Sequence, residues 1–194
     1  MATDIKIVEE ASPQLGMNPR KFALWLFIVT VCMLFAAWTS AYIVKRADGQ
    51  WSEIVLPNQF IINTILMLIS SATMIWAQRA ARQDNVEKVK LALSLTVVLG
   101  LAFLGGQLIA YGKLVDTNQY FVGGNVSSSF VYVLTGMHGL HLVGGIVFLL
   151  IVLRLAFVAE VHSKSMMWIE MCSTYWHFLG GLWVYLYVFL SLNR

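Results

Sequence analysis

Long stretches without charge alternate with short charged segments along this chain. Residues 22–44, 57–78, 91–112 and 126–153 contain no Asp, Glu, Lys or Arg, and a fifth stretch, 166–192, contains only Glu170. Each exceeds the ~20 apolar residues a helix needs to cross a bilayer. Inside hydrocarbon no water satisfies the backbone, so N–H and C=O groups must pair within each segment, which makes these stretches helices. Pro57 is expected in the first turn of the second helix, where its missing N–H would be unpaired anyway. Gly123-Gly124-Asn125 has the chemistry of a turn before the fourth. The pattern predicts an all-α integral membrane protein, with a polar arm over residues 1–21 and a five-helix transmembrane domain over 22–194.

Composition narrows the class. The chain is 59% hydrophobic and 12% charged, with a mean hydropathy of +0.73, whereas soluble domains carry ~25% charged residues. A water-soluble enzyme is excluded. Lys6, Arg20, Lys21, Arg79, Arg82, Lys88, Lys90, Arg154 and Lys164 fall on one side of the predicted membrane, and Lys45, Arg46, Lys113 and Arg194 on the other. Nine against four predicts a cytoplasmic N-terminus and an external C-terminus. The basic residues are loop charges and form no nucleic-acid patch. Trp51, Tyr120, Trp168 and Tyr187 lie near span ends, where aromatic rings are favoured. Cys32 and Cys172 lie inside apolar stretches and make neither a disulfide framework nor a CxxC site. The first apolar stretch is too long for the core of a secretory signal.

Polar groups in hydrocarbon are costly, so each calls for a partner or a purpose. His138 and His141 are three residues apart on the fourth helix, followed by Gly145. Glu170, Thr174, His177 and Gly181 share one face of the fifth. The two faces are expected to meet each other or another protein. His141 and His177 fall within ~5 Å of the middle of their spans at ~1.5 Å rise per residue. Arg154 is expected to reach Glu170, and His162 is expected in a solvated loop. Intramembrane histidines suit a haem b or metal site. Imidazoles hydrogen-bonded across helices beside packing glycines are the commoner arrangement. Asn63, Thr64, Ser70, Ser71 and Thr73 on the second helix, and Gly105, Gly106, Gln107 and Tyr111 on the third, read as helix-packing groups. Ion-coupled transport calls for intramembrane carboxylates, and the first four spans have none. No activated nucleophile, phosphate loop or acid–base pair is present in the sequence pattern.

Two longer motifs carry a resemblance. Thr135-Gly136-Met137-His138-Gly139-Leu140-His141, followed by Gly145, resembles the TGxHGLH…G signature of subunit III of haem–copper oxidases. Glu170, then Tyr175-Trp176-His177-Phe178, Trp183 and Tyr187, is similar to the last helix of that family. Asn63-Thr64 with Ser70-Ser71, and Gln107 with Tyr111, match two of its preceding helices, so the matching motifs lie in the second to fifth spans. It implies the family's short, five-span form. Thr30-Val31-Cys32, Asn58-Gln59-Phe60, Ala110 and Gly180 stand where many members have acids, so proton-antenna roles tied to those acids have no matching residue here.

The resemblance implies a non-catalytic subunit of an aerobic respiratory oxidase, with cytochrome c favoured over quinol as electron donor. It would support assembly, lipid retention and proton uptake by subunit I, while the holoenzyme reduces O2 to water and pumps protons. The implied partners are oxidase subunits I and II and structural phospholipids, with a respiratory supercomplex as a further level of association. Haem and copper would reside in the partners and none in this chain. His138, His141, Glu170, Trp176, His177, Asn63, Thr64 and Gln107 would be structural, lipid-cleft or interface residues. The implied location is the bacterial plasma membrane. A haem-b membrane anchor, with ligands among His138, His141 and His177, and a small transporter or scaffold are the alternatives of other classes.

Overall fold

In a computed structural model, residues 18–49, 51, 54, 56–158 and 163–193 are described. They form five helices: α1 Pro19–Ala47, α2 Gln59–Arg82, α3 Val86–Asp116, α4 Val126–Val158 and α5 Ser163–Leu192. All five are long and apolar enough to span a membrane, and no strand occurs among the described residues. Lengths of 24 to 33 residues exceed the ~30 Å hydrocarbon at ~1.5 Å per residue. The helices therefore run past the uncharged stretches into polar flanks, and the charged residues there complete their ends. Lys45 and Arg46 close α1, and Arg79 and Arg82 close α2, where cations complement the helix dipole.

Local chemistry sets the starts. Asn18 caps α1 by accepting from the Arg20 N–H at 3.1 Å, with Pro19 at the first helical position. Asn85 caps α3 through the Lys88 N–H at 3.2 Å. Pro57 departs from expectation: α2 begins at Gln59, and Pro57 precedes it, its carbonyl accepting from the Phe60 N–H at 3.1 Å. A proline ring disfavours helical geometry at the residue before it, and here its carbonyl serves the first turn from outside. The turn joining α2 to α3 places Asp84 in the left-handed region at φ 52°, which Asp tolerates better than most residues. Gly123 (φ 79°) turns the chain ahead of α4, whose first turn bonds back to Asn125.

Helices α2, α3, α4 and α5 pack as a closed ring, each touching its two neighbours, while α1 lies outside against α4 and α5. Aromatic packing fastens α1 at one end. Tyr42 is fully buried among Trp51, Phe130 and Phe189, at ring distances of 4.5, 5.7 and 5.1 Å. Its hydroxyl donates to the Asn193 carbonyl at 3.0 Å. At the other end Lys21 meets Glu170 at 2.8 Å. Both contacts make α1 parallel to α5.

Candidate functional site

The ring closes around two tryptophans. Trp176 and Trp183 are seven residues, about two turns, apart on α5, and each is 1% exposed. An indole N–H buried in an apolar setting needs an acceptor. Trp183 donates to Thr64 Oγ1 of α2 at 3.0 Å, and Trp176 donates to Ser70 Oγ of α2 at 3.1 Å. Beside the latter bond, Ser71 Oγ pairs with His177 Nδ1. The Thr64 hydroxyl donates its own proton to the Phe60 carbonyl at 2.8 Å, which leaves a lone pair for the indole.

Each indole also touches the other two ring helices. Trp183 stacks on Phe60 of α2, meets Phe103 of α3 edge-on at 4.8 Å, and lies 5.2 Å from the His138 ring of α4. Trp176 fits between Gly100 of α3 and Gly145 of α4. A Cβ at Gly100 would stand 2.8 Å from Trp176 Cη2, and one at Gly145 would stand 2.8 Å from Leu179 Cδ1. Only the missing side chains let the helices approach this closely.

Further polar contacts join the remaining neighbours. Asn63 Nδ2 donates to Gln107 Oε1 at 3.2 Å, linking α2 to α3, and the Asn63 amide rests on Gly106. Thr73 and Thr96 hydroxyls pair at 2.8 Å across the same seam. Tyr111 and Thr135 hydroxyls lie 3.0 Å apart and join α3 to α4. The structure thus gathers Asn63, Thr64, Gln107, His138, Trp176 and His177 inside or along one ring.

His141 and Glu170 lie elsewhere, and two expectations are corrected, the meeting of the α4 and α5 polar faces with each other and an Arg154–Glu170 pair. The polar faces of α4 and α5 do not meet: His141 turns toward α1, with Phe35 at 5.7 Å and Phe27 at 6.4 Å, whereas His177 turns to Ser71 of α2. Although His138 and His141 are only three residues apart, α4 straddles the seam between the ring and α1. His138 therefore points inward, and His141 points out and bonds the Met137 carbonyl through Nδ1 at 2.7 Å. Glu170 pairs with Lys21 of α1 rather than with Arg154, because α1 packs beside α5 at that end and Arg154 is exposed on α4. His162 lies outside the described residues.

Beside the Lys21–Glu170 pair, Leu24, Trp25, Met171 and Thr174 complete the lining of a pocket of about 160 Å³. The Arg20 guanidinium stands 5.2 Å from the centre of the Trp168 ring near this end, a cation–π distance. Among the described residues, no three His, Cys, Asp or Glu side chains converge in a metal-binding group. The three intramembrane histidines face three different helices.

The sequence marks Ser70 as a helix-packing group and Trp183 and Thr135 as motif residues without showing their partners, and it gives no sign of Gly100. The seven-residue spacing of Trp176 and Trp183 was a visible sign of a shared face. Nothing in the sequence marks Gly100 as the glycine under an indole.

These features define a multi-span membrane subunit whose polar side chains join helices to one another. The family model described as Cytochrome c oxidase subunit III matches residues 14–192, and the chain belongs to that family. Cytochrome c oxidase subunit 3 of Thermostichus vulcanus is 28% identical over 89% of this chain and 87% of its own length. That of Synechocystis is 30% identical over 89% and 75%, respectively. Cytochrome bo(3) ubiquinol oxidase subunit 3 of Buchnera aphidicola is 25% identical over 91% and 95%. The chain is therefore a multi-pass membrane subunit of a haem–copper oxidase complex, associated with other oxidase subunits.

Proposed function

We propose that the chain is the non-catalytic subunit III of a cytochrome c-oxidising terminal oxidase in a bacterial plasma membrane, with its N-terminus cytoplasmic and its C-terminus external. It binds subunits I and II and structural phospholipid, and holds neither haem nor copper. Its work is assembly, lipid retention and support of proton entry into subunit I, while the holoenzyme reduces O2 to water and pumps protons.

The observation that carries this reading is the ring of contacts around Trp176 and Trp183. The two indole donors and the Asn63 amide donor there are spent on neighbouring helices, and His138 is packed between Phe103 and Trp183. A haem anchor calls for facing histidines with room for a macrocycle between them, which this packing does not offer. Lipid retention is supported by the pocket at the α1–α5 seam, where Lys21 stands beside apolar Leu24, Trp25 and Met171. An ammonium at a helix end beside an apolar groove suits a phosphate headgroup with its acyl chain. Quinol is the second reading for the electron donor, favoured by the similarity to the bo(3) ubiquinol oxidase subunit.

The test is a reduced-minus-oxidised absorption spectrum of the tagged chain, purified gently and again after its partners are stripped. Haem bands that depart with the partners are expected, and their type narrows the donor class. A b-type band that remains with the bare chain makes His138, His141 or His177 ligands and overturns the reading.

A further inference from the structure

We propose that the ring holds a bound water molecule between Gln107 of α3 and His138 of α4, and that this water fixes the proton on the His138 imidazole. His138 is fully buried, and neither of its ring nitrogens has a hydrogen-bond partner among the described residues. A neutral imidazole carries one donor and one acceptor, and buried polar groups in folded proteins are almost always satisfied by protein or by ordered water.

Gln107 supplies the other half. It is 3% exposed, and its Oε1 accepts from Asn63 at 3.2 Å, which fixes the direction of the amide. Its Nε2 is then a buried donor with no partner among the described residues. Asn63 Oδ1 is likewise a buried acceptor with no hydrogen-bond partner among the described residues; it sits against Gly106, a place for a Cα–H contact between helices.

Register brings the two groups to one level. The Tyr111–Thr135 hydroxyl pair aligns antiparallel α3 and α4. One turn along from it stand Gln107 on α3 and His138 on α4. A turn further along α3, Phe103 already contacts the His138 ring, at 5.9 Å between centroids. Gln107 and His138 therefore both lie between the Tyr111–Thr135 hydroxyl pair and Phe103.

Polarity then runs one way. Asn63 N–H donates to Gln107, Gln107 N–H donates to the water, and the water donates to the bare nitrogen of His138. The other nitrogen carries the proton, and because the Trp183 and Phe103 rings flank the imidazole at 5.2 and 5.9 Å between centroids, an N–H···π contact is the partner open to it. Buried waters occur about once per 27 residues, each held by roughly two to four polar groups. The link adds a third polar contact between α3 and α4 near this level, beside the Tyr111–Thr135 hydroxyl pair and the Tyr132 hydroxyl that donates to the Tyr111 carbonyl. It concerns the interior of the ring alone and stands apart from the choice of oxidase partner.

An experimental map of the purified complex, at a resolution that shows ordered water, tests it. Density within ~2.7–3.2 Å of both Gln107 Nε2 and one His138 nitrogen is the expected result. Direct contact of Gln107 with the imidazole, or both ring nitrogens lying dry against the aromatic rings, overturns the proposal. A second readout is water-edited solid-state NMR on the complex with ¹⁵N-labelled histidine. Transfer from water to a His138 nitrogen is expected, and it should be lost in Gln107→Leu while the His177 signal persists. No transfer in the wild type refutes the water, and transfer unchanged by Gln107→Leu refutes its attachment to Gln107.

Discussion

Trp183 gives its indole proton to Thr64 across the α2–α5 seam at 3.0 Å, and two turns away Trp176 does the same to Ser70 at 3.1 Å. Removing the acceptor and removing the donor should not be equivalent. Thr64→Val keeps the shape but strands a buried N–H, at a cost of ~1–3 kcal/mol. Trp183→Phe removes the donor and part of the packing. Interhelical hydrogen bonds in membranes average ~0.6 kcal/mol. The double variant should therefore be less destabilised than the sum of the singles by an amount of that order. Unfolding midpoints in a mild detergent, arranged as a double-mutant cycle, measure this coupling.

Close approach at Gly100 gives a second expectation. Gly100→Ala must push its Cβ against the Trp176 ring, and overpacking of this kind costs ~1–3 kcal/mol. Gly105→Ala is the internal comparison, since a Cβ there meets nothing within 4 Å. Thermal stability of the purified complex should fall for the first and hold for the second.

The Lys21–Glu170 pair is partly solvated, with side-chain exposures of 41% and 35%, so its own contribution to stability is ~1 kcal/mol or less. Its expected role is to hold α1 against α5 and to present a charged headgroup site. Lys21→Glu should lower the phospholipid phosphorus that copurifies with the complex. Exchanging the two charges, Lys21→Glu with Glu170→Lys, should restore α1 docking and part of the lipid. Phosphorus assay together with thermal stability separates the two effects.

Orientation is open to direct chemistry. In a Cys32→Ser, Cys172→Ser background, a cysteine at Asp84 should be shielded from a membrane-impermeant thiol reagent in intact cells and should label in inverted vesicles. One at Asn118 should behave the other way. The same pattern reversed would invert the topology proposed from the distribution of Lys and Arg.

Spans were legible because hydrocarbon leaves the backbone only one solution, and a run of uncharged residues announces it. Helix ends were less legible: Pro57 suits a first turn by its own chemistry, yet α2 starts at Gln59. Motif residues such as Asn63, Thr64, Gln107, Trp176 and His177 stand out as polar groups in lipid, but which helix answers each one depends on ring order. That order is tertiary information. It decides why His138 and His141, so near in sequence, face different partners, and why Glu170 meets a lysine from α1. Gly100 is silent in sequence because the ring it accommodates comes from a residue on another helix.

Whether these polar residues join helices or take part in turnover is decided by comparing subunit retention with activity per haem. In Glu170→Ala and Thr64→Val oxidase, the amount of this chain retained by the purified complex should fall. Complexes that keep it should reduce O2 at the wild-type initial rate per haem. A variant that retains its full complement of the chain but has lost turnover would contradict the account.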